Sequence, residues 1–355
     1  MRVVVAMSGG VDSAVAAARC VAAGHDVIGI SLRLARDGAG GCCSLDDFHD
    51  ARAVADRLGF PHYVLDFTDA FDAAVVQPFV AEYLAGRTPN PCARCNQHVK
   101  FDRLWQRARE LGASHLATGH YARIAVDPVT GRHALRTAVD TTKDQTYFLF
   151  TLDHEALART LFPVGDLTKT EVRAEAAALG LAVADKPESM EVCFVPTGDA
   201  AGFVERRAGA DALRPGSLRD GDGQELGTHA GVHRFTIGQR RGLGLAGGPA
   251  RYVRAIDAAT GTVTVGSADE LLATGLVAHD VSWSAGTPPD DGAVLAARIR
   301  HRHRPVPARL LATAGGAAHV RFDTPGPAVT PGQAAVFYRD ELVVGGGWIA
   351  SELPA

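Results

Sequence analysis

Cys92 and Cys95 stand three residues apart in Arg87-Thr88-Pro89-Asn90-Pro91-Cys92-Ala93-Arg94-Cys95-Asn96, with His98 and Lys100 just beyond. Nearby cations and a following helix N-terminus both favour thiolate over thiol, so the stretch suits a nucleophilic sulfur. Cys193, alone between Val192 and Phe194, is the natural distant partner. Three chemistries compete for these residues. A four-thiolate zinc or iron–sulfur site would need Cys42-Cys43 as its second half, and an adjacent pair is poorly spaced for that. A thioredoxin-like dithiol would sit in a different βαβ context. A nucleophilic cysteine working with a remote thiol needs only Cys193, which could equally be a small buried core residue.

The second reactive stretch opens the chain: MRVVVAMSGGVDSAVAAARC. Val3 to Ala6 is a continuous apolar run, as in a strand buried on both faces of a parallel sheet. Ser8-Gly9-Gly10-Val11-Asp12-Ser13 interrupts it, and alanine-rich helix is expected from Ala14. Strand, glycine-rich turn and helix N-terminus make an anion site, since backbone N–H groups and the helix dipole both favour phosphate. Ser8 and Ser13 would add hydroxyl donors, and Asp12 could hold the Mg²⁺ that accompanies a nucleotide. The Walker A lysine and the G-x-G-x-x-G spacing are both missing. SGGVDS after a valine strand resembles instead the PP-loop of the N-type ATP pyrophosphatases, which cleave ATP to AMP and pyrophosphate.

These groups need a scaffold, and the next segments supply one. Asp26 to Leu34 and Pro61 to Asp66 read as strands, Asp46 to Leu58 and about Ala70 to Leu84 as helices. The prolines at 89 and 91 predict a stiff, extended loop, with helix resuming around Val99 to Leu111. Ser114 to Thr118 is a further strand. Such alternation means βαβ units and a mostly parallel sheet, with ligands at the carboxyl ends of its strands, where Ser8, Leu32 and Gly119-His120 fall. A hairpin around Asp127 to Arg132, a helical pair from about His154 to Leu179 and a strand-like Val192 to Val195 follow. Beyond Pro196 short β-type runs separated by glycine and proline indicate small β domains. The expected division is 1–195, 196–275 and 276–355.

Composition narrows the classes. A formal net charge of −4 leaves no global basic signature, so nucleic-acid contact must come from local patches. One candidate is Arg298, Arg300, Arg302 and Arg304, which on a strand would share one face, with Arg240 and Arg241 as an extension. No apolar stretch approaches a membrane span, and the N-terminus does not read as a secretory leader. Six scattered cysteines (Cys20, Cys42, Cys43, Cys92, Cys95, Cys193) fit a reducing cytoplasm rather than a disulfide framework.

Seven blocks then occur in order: SGGVDS, GRTPNPCARCNQHVKF (Gly86 to Phe101), ATGHYAR (Ala117 to Arg123), KDQTYFL (Lys143 to Leu149), SMEVCFV (Ser189 to Val195), VHRFTIGQRRGLG (Val232 to Gly244) and VTPGQAAVFY (Val329 to Tyr338). The series resembles the tRNA-specific 2-thiouridylase family, which replaces the C2 oxygen of the wobble uridine with sulfur. The resemblance implies an α/β PP-loop domain, a small central domain and a C-terminal β-barrel. It implies Cys95 as nucleophile and Cys193 as persulfide carrier. ATP, with Mg²⁺, would meet Ala6, Met7, Ser8, Gly9, Gly10, Val11, Asp12, Ser13, Leu32 and Gly119. It further implies that tRNA meets Asn90, Pro91, Cys92, His120, Lys143, Asp144, Gln145, Arg300, His301 and Gln333. The implied partners are tRNA and a sulfur-donor protein, a cysteine desulfurase or relay carrier, with no resident metal. Relatives often carry Asp where Cys92 stands. Another PP-loop ligase acting on a small metabolite, or a non-catalytic RNA-binding protein with a structural metal, are the alternative classes.

Overall fold

The computed structural model describes residues 1–35, 44–188, 192–195, 198–245 and 247–354. Cys42 and Cys43 lie outside them. The apolar run at the N-terminus forms β1 (Arg2–Ala6), with Val3, Val4 and Val5 fully buried. β1 is followed by α1 (Val11–Ala22), β2 (Asp26–Arg33), α2 (Leu45–Leu58) and β3 (His62–Asp66). Helices over 68–84 and 91–110 then lead to β4 (His115–Thr118). β1 pairs in parallel with β2 on one side and β4 on the other. Helices cover a sheet of this kind on both faces, and the valine-rich centre of β1 is what that environment selects.

The next strands are β5 (Arg123–Val126), β6 (His133–Arg136) and β7 (Thr160–Leu161). β7 joins the first sheet, whose order is β3-β2-β1-β4-β7. Strand order reverses at β1, so the crevice between the ends of β1 and β4 is the switch point where an open α/β sheet takes its ligand.

A second, four-stranded sheet holds β8 (Gly216–Arg219), β9 (Glu225–His229), β10 (Tyr252–Asp257) and β11 (Thr262–Gly266). It packs on Leu218, Val253, Val263 and Val265. The third unit contains β12 (Ala273–Trp283), β13 (Val294–Arg298), β14 (Val306–Ala314), β15 (Ala317–Gly326), β16 (Ala334–Arg339) and β17 (Leu342–Glu352). β12 pairs with both β15 and β17, which closes these strands into a barrel and removes the free edges. The β5–β6 hairpin, far earlier in the chain, extends the barrel sheet through Leu342 opposite Arg136. Glu341 fastens that junction by bonding Arg136 and Arg123. The N-terminal half and the barrel therefore share one sheet. Among the described residues no helix is long and apolar enough to cross a membrane.

Several local expectations are corrected. α1 begins at Val11 rather than Ala14, with Gly10 as its cap. Asp12 thus sits in the first turn, where a carboxylate complements the helix dipole. The proline-rich segment is not loop throughout, because a helix starts at Pro91, with the Asn90 side chain accepting from the Ala93 amide. Proline suits the first helical position, where its missing N–H would have had no partner. Val192 to Val195 is a turn, not a strand, closed by the Val195 amide on the Val192 carbonyl. Ala200–Ala208 is helical behind the cap Asp199.

The arginine stripe also fails, because β13 ends at Arg298. Arg298 turns inward to the buried carboxylate of Asp144 at 2.9 Å and lies over the Tyr147 ring. Arg300 donates to the Ile237 carbonyl and the Thr330 hydroxyl. Arg302 and Arg304 remain exposed. Arg298 is still in register opposite Val336 when its guanidinium meets the buried carboxylate, and the chain leaves strand geometry directly after it, so the later arginines do not share its face.

Candidate active site

The strand-to-helix turn after β1 is held from inside. The Ser13 hydroxyl donates to the Gly10 carbonyl and accepts from the Ser8 amide, so this buried serine shapes the loop. Gly9 has φ +73° and lies against the backbone of Asp47 at the start of α2. Gly119 touches α1 directly: a Cβ there would stand 2.6 Å from Asp12 C and Ser13 N. Real Cβ atoms do not approach backbone that closely, so Gly119→Ala must push β4 away from the α1 N-terminus. The expected result is loss of nucleotide binding by at least about tenfold with the fold retained, measured by calorimetric titration with ATP.

A cleft of about 330 Å³ opens here, at the carboxyl ends of β1 and β4. Of the residues expected at the nucleotide, Ala6, Ser8, Gly10, Val11, Asp12, Ser13 and Gly119 line it. Met7, Gly9 and Leu32 lie behind the lining, Met7 through its carbonyl on the Ser31 hydroxyl and Leu32 in the core. His120, Lys143 and Gln145, expected at tRNA, line the same cleft. Asn90 and Pro91 form the cap and first residue of the thiol helix. Asp144, Arg300 and Gln333 make bonds within the protein, and His301 stacks on Phe148 at 4.5 Å.

Of the basic side chains of the cleft, the sequence reading named Lys143 and missed Lys169 and Lys186. Lys100, Lys143, Lys169 and Lys186 all line it, and they are the only lysines among 36 lysines and arginines in the chain. The signal was available as a bias: a chain that otherwise uses arginine keeps lysine at four scattered positions. Arginine is the residue for fixed bidentate pairs, whereas a lysine ammonium is a compact charge that can exchange partners. The carboxylates are arranged to hold these charges. Lys169 Nζ lies 2.7 and 2.8 Å from the two Asp12 oxygens and 3.0 Å from Glu188, which also takes Lys143 at 2.7 Å. Bonding to Lys143 holds the Glu188 carboxyl below its usual range. Lys186 bonds Asp47, Asp50 and the Gly9 carbonyl; against the opposing effect of burial, the two carboxylates hold its ammonium above the usual range. The half-buried His120 is driven well below its ordinary value by desolvation and then by Lys100, so near neutral pH it is an uncharged ring bonded to Thr118.

Cys95 and Cys193 pack on one apolar core, Cys95 as a buried member and Cys193 partly exposed against it. The Cys193 turn is pinned by Phe194, whose ring meets Phe71, Phe79 and Phe203 edge-on at 5.5, 5.0 and 5.3 Å. The helix that carries Cys95 also carries Lys100, so it joins the thiol core to the cleft over about 7 Å of axis. It winds in π form over Asn96–Arg103, a feature frequent where a helix serves a site. Cys92 is exposed two residues into the same helix. Cys20, buried in α1, is pushed up to about 11 by desolvation. Native protein treated with iodoacetamide at neutral pH is expected to take label at Cys92 and none at Cys20 over the same interval, read by peptide mass spectrometry.

Comparison with known proteins gives this geometry a family. A model described as tRNA methyl transferase HUP domain matches residues 1–197. A tRNA methyl transferase PRC-barrel domain matches 202–267, and an aminomethyltransferase β-barrel domain matches 273–349. Proteins named tRNA-specific 2-thiouridylase MnmA match nearly end to end. That of Geotalea uraniireducens is 52% identical, covering 98% of this chain and 94% of its own. That of Solibacter usitatus is 51% identical, covering 98% of each. That of Acidothermus cellulolyticus is 50% identical, covering 99% of this chain and 98% of its own.

The chain belongs to the tRNA-specific 2-thiouridylase family. The domain models carry a description that speaks of methyl transfer, but half-identity over whole chains places this thiouridylase-family member with the proteins named for thiolation. Its HUP-type parallel sheet, central PRC-barrel unit and closed C-terminal barrel are the architecture the seven motif blocks implied.

Proposed function

We infer that this chain is an ATP-consuming sulfurtransferase that converts the C2 oxygen of the tRNA wobble uridine to sulfur. The observation that carries the reading is the joining, by one helix, of a lysine-lined anion cleft to a core on which two distant thiols pack. A uridine C2 carbonyl is a poor electrophile, and its oxygen does not leave unaided. Attack of that oxygen on the α-phosphorus of ATP forms an adenylated base and releases pyrophosphate, which a lysine cleft at a helix N-terminus suits. The terminal sulfur of a Cys193 persulfide supplies the nucleophile at C2, and AMP leaves with the former carbonyl oxygen. Cys95 thiolate attacks Cys193 Sγ, so the transferred sulfur departs and a Cys95–Cys193 disulfide remains for cellular thiols to reduce. The base must leave its anticodon stack to reach the cleft.

Among the described residues no cluster of three or more His, Cys, Asp or Glu gathers to hold a resident metal. Asp12 and Glu188 instead fit a Mg²⁺ carried in on the nucleotide phosphates, which would neutralise phosphate charge there. Sulfur reaches Cys193 from a donor protein, and the reducing cytoplasm suits the disulfide reset. Incubation with ATP, a sulfur source and unmodified tRNA, followed by nucleoside analysis, is expected to show 2-thiouridine. ATP cleavage driven by a small metabolite, with no thiolated nucleoside, would overturn the reading in favour of a ligase.

A further inference from the structure

One helix joins the thiol core to the central unit. Ala200–Ala208 follows the Cys193 turn behind its cap Asp199, whose side chain accepts from the Gly202 amide at 2.9 Å. Phe203 on this helix meets Phe194, the ring that pins Cys193, edge-on at 5.3 Å, and Phe79 at 6.0 Å. Val204 is fully buried in the same core. Glu205, two residues past Phe203, lies about 200° further round the axis and faces the other way. There its Oε1 takes His233 Nε2 at 2.9 Å and also the Arg234 guanidinium, both from the single turn Val232–Arg234 of the central unit.

The side chains at this contact leave it little freedom. His233 is buried, and a carboxylate can only accept, so Nε2 carries the proton and the bond fixes the ring's orientation. Gly231 lies against that ring, where a Cβ would overlap the imidazole. The bond from His233, with the charge of Arg234 beside it, holds the Glu205 carboxyl below its usual range against the opposing effect of desolvation. The helix has a second tie, Arg207 to Asp72, but both of those side chains are partly exposed, and such a pair holds little. Glu205, backed by a buried imidazole, is the stronger anchor.

We propose that Glu205 is a positioning residue for sulfur transfer, clamping the helix behind the Cys193 turn to the central unit and so fixing where Cys193 is presented. The proposal rests on the thiolation reading above. Glu205→Ala is expected to lower kcat for thiolation by about tenfold, with KM for tRNA within about twofold. Labelling of Cys193 by iodoacetamide, measured without ATP or tRNA, is expected to rise by about tenfold while Cys20 stays unlabelled and so reports an intact fold. Glu205→Gln, whose amide oxygen still accepts from His233 Nε2, should bring both values back to within about threefold of wild type. Arg207→Ala should leave both within about twofold. An equal rise in that variant would show that any loosening of the helix suffices, and would overturn the assignment to Glu205. If Cys20 becomes reactive in the alanine variant, Gly231→Ala, which presses the His233 ring off the carboxylate, is read in its place. A raised KM for tRNA with unchanged kcat and unchanged Cys193 labelling would overturn the proposal and give the clamp to RNA binding. The labelling needs no turnover, so unchanged Cys193 reactivity overturns the proposal even if the thiolation reading fails, and a rise supports it in the same circumstance.

Discussion

Protein carrying Cys95→Ser or Cys193→Ser is expected to form no detectable 2-thiouridine, a loss of at least about a thousandfold, while still releasing pyrophosphate when ATP and tRNA are supplied. The split follows from where the groups sit. On the proposed reading, activation falls to the cleft of Ser8, Asp12, Lys143, Lys169 and Lys186, to which neither thiol contributes a lining atom. On the same reading, sulfur delivery falls to the core where Cys95 and Cys193 pack. A serine hydroxyl at position 193 cannot carry a sulfane sulfur, and one at 95 cannot displace sulfur from a persulfide. The two variants should also differ from each other. Cys193→Ser cannot be loaded by a sulfur donor, whereas Cys95→Ser should hold a persulfide at Cys193 that is visible as a 32-dalton mass increment, about one sulfur atom. Cys20→Ala, at a thiol remote from both regions, is the folding control. Full thiolation by either serine variant would remove that thiol from the cycle.

The parts of this site that the sequence made legible are those carried by local pattern. A valine run, a double glycine and an alanine-rich segment specify strand, turn and helix in sequence, and the cleft forms where they meet. The start of the thiol helix was misread because proline forbids helix interior yet favours the first position, and only the Asn90 cap separates the two cases. Lys169 and Lys186 were missed for a different reason. Each becomes functional only when α1, α2 and the end of the parallel sheet have assembled, and nothing within a dozen residues marks either one. The arginine run shows the converse failure. Its spacing matched a strand, but Asp144, more than 150 residues earlier, pulls Arg298 inward. Long-range charge pairing outweighs local periodicity there, and it also couples the barrel to the catalytic half.

Lys169→Ala is expected to lower kcat/KM for ATP by about a hundredfold or more, and Lys169→Arg to recover little of it. In the structure Lys169 is the centre of a lattice in which Asp12 and Glu188 neutralise it, and Glu188 in turn holds Lys143. The same lattice explains how polyphosphate could enter a cleft already lined with carboxylates. Each ammonium exchanges a carboxylate for a phosphate oxygen, and a single compact charge on a flexible stem does this more readily than a guanidinium locked in a planar fork. Alanine leaves Asp12 facing the incoming phosphates without its ammonium and Glu188 with Lys143 alone, so repulsion adds to the lost attraction. Pyrophosphate release against ATP concentration measures the effect. Chemistry supplies an independent check, because Lys100, Lys143, Lys169 and Lys186 are the whole lysine complement. A lysine-directed acylating reagent therefore labels only this cleft and the N-terminal amine, and ATP should slow both labelling and inactivation together. Inactivation that ATP does not slow would place the phosphates elsewhere.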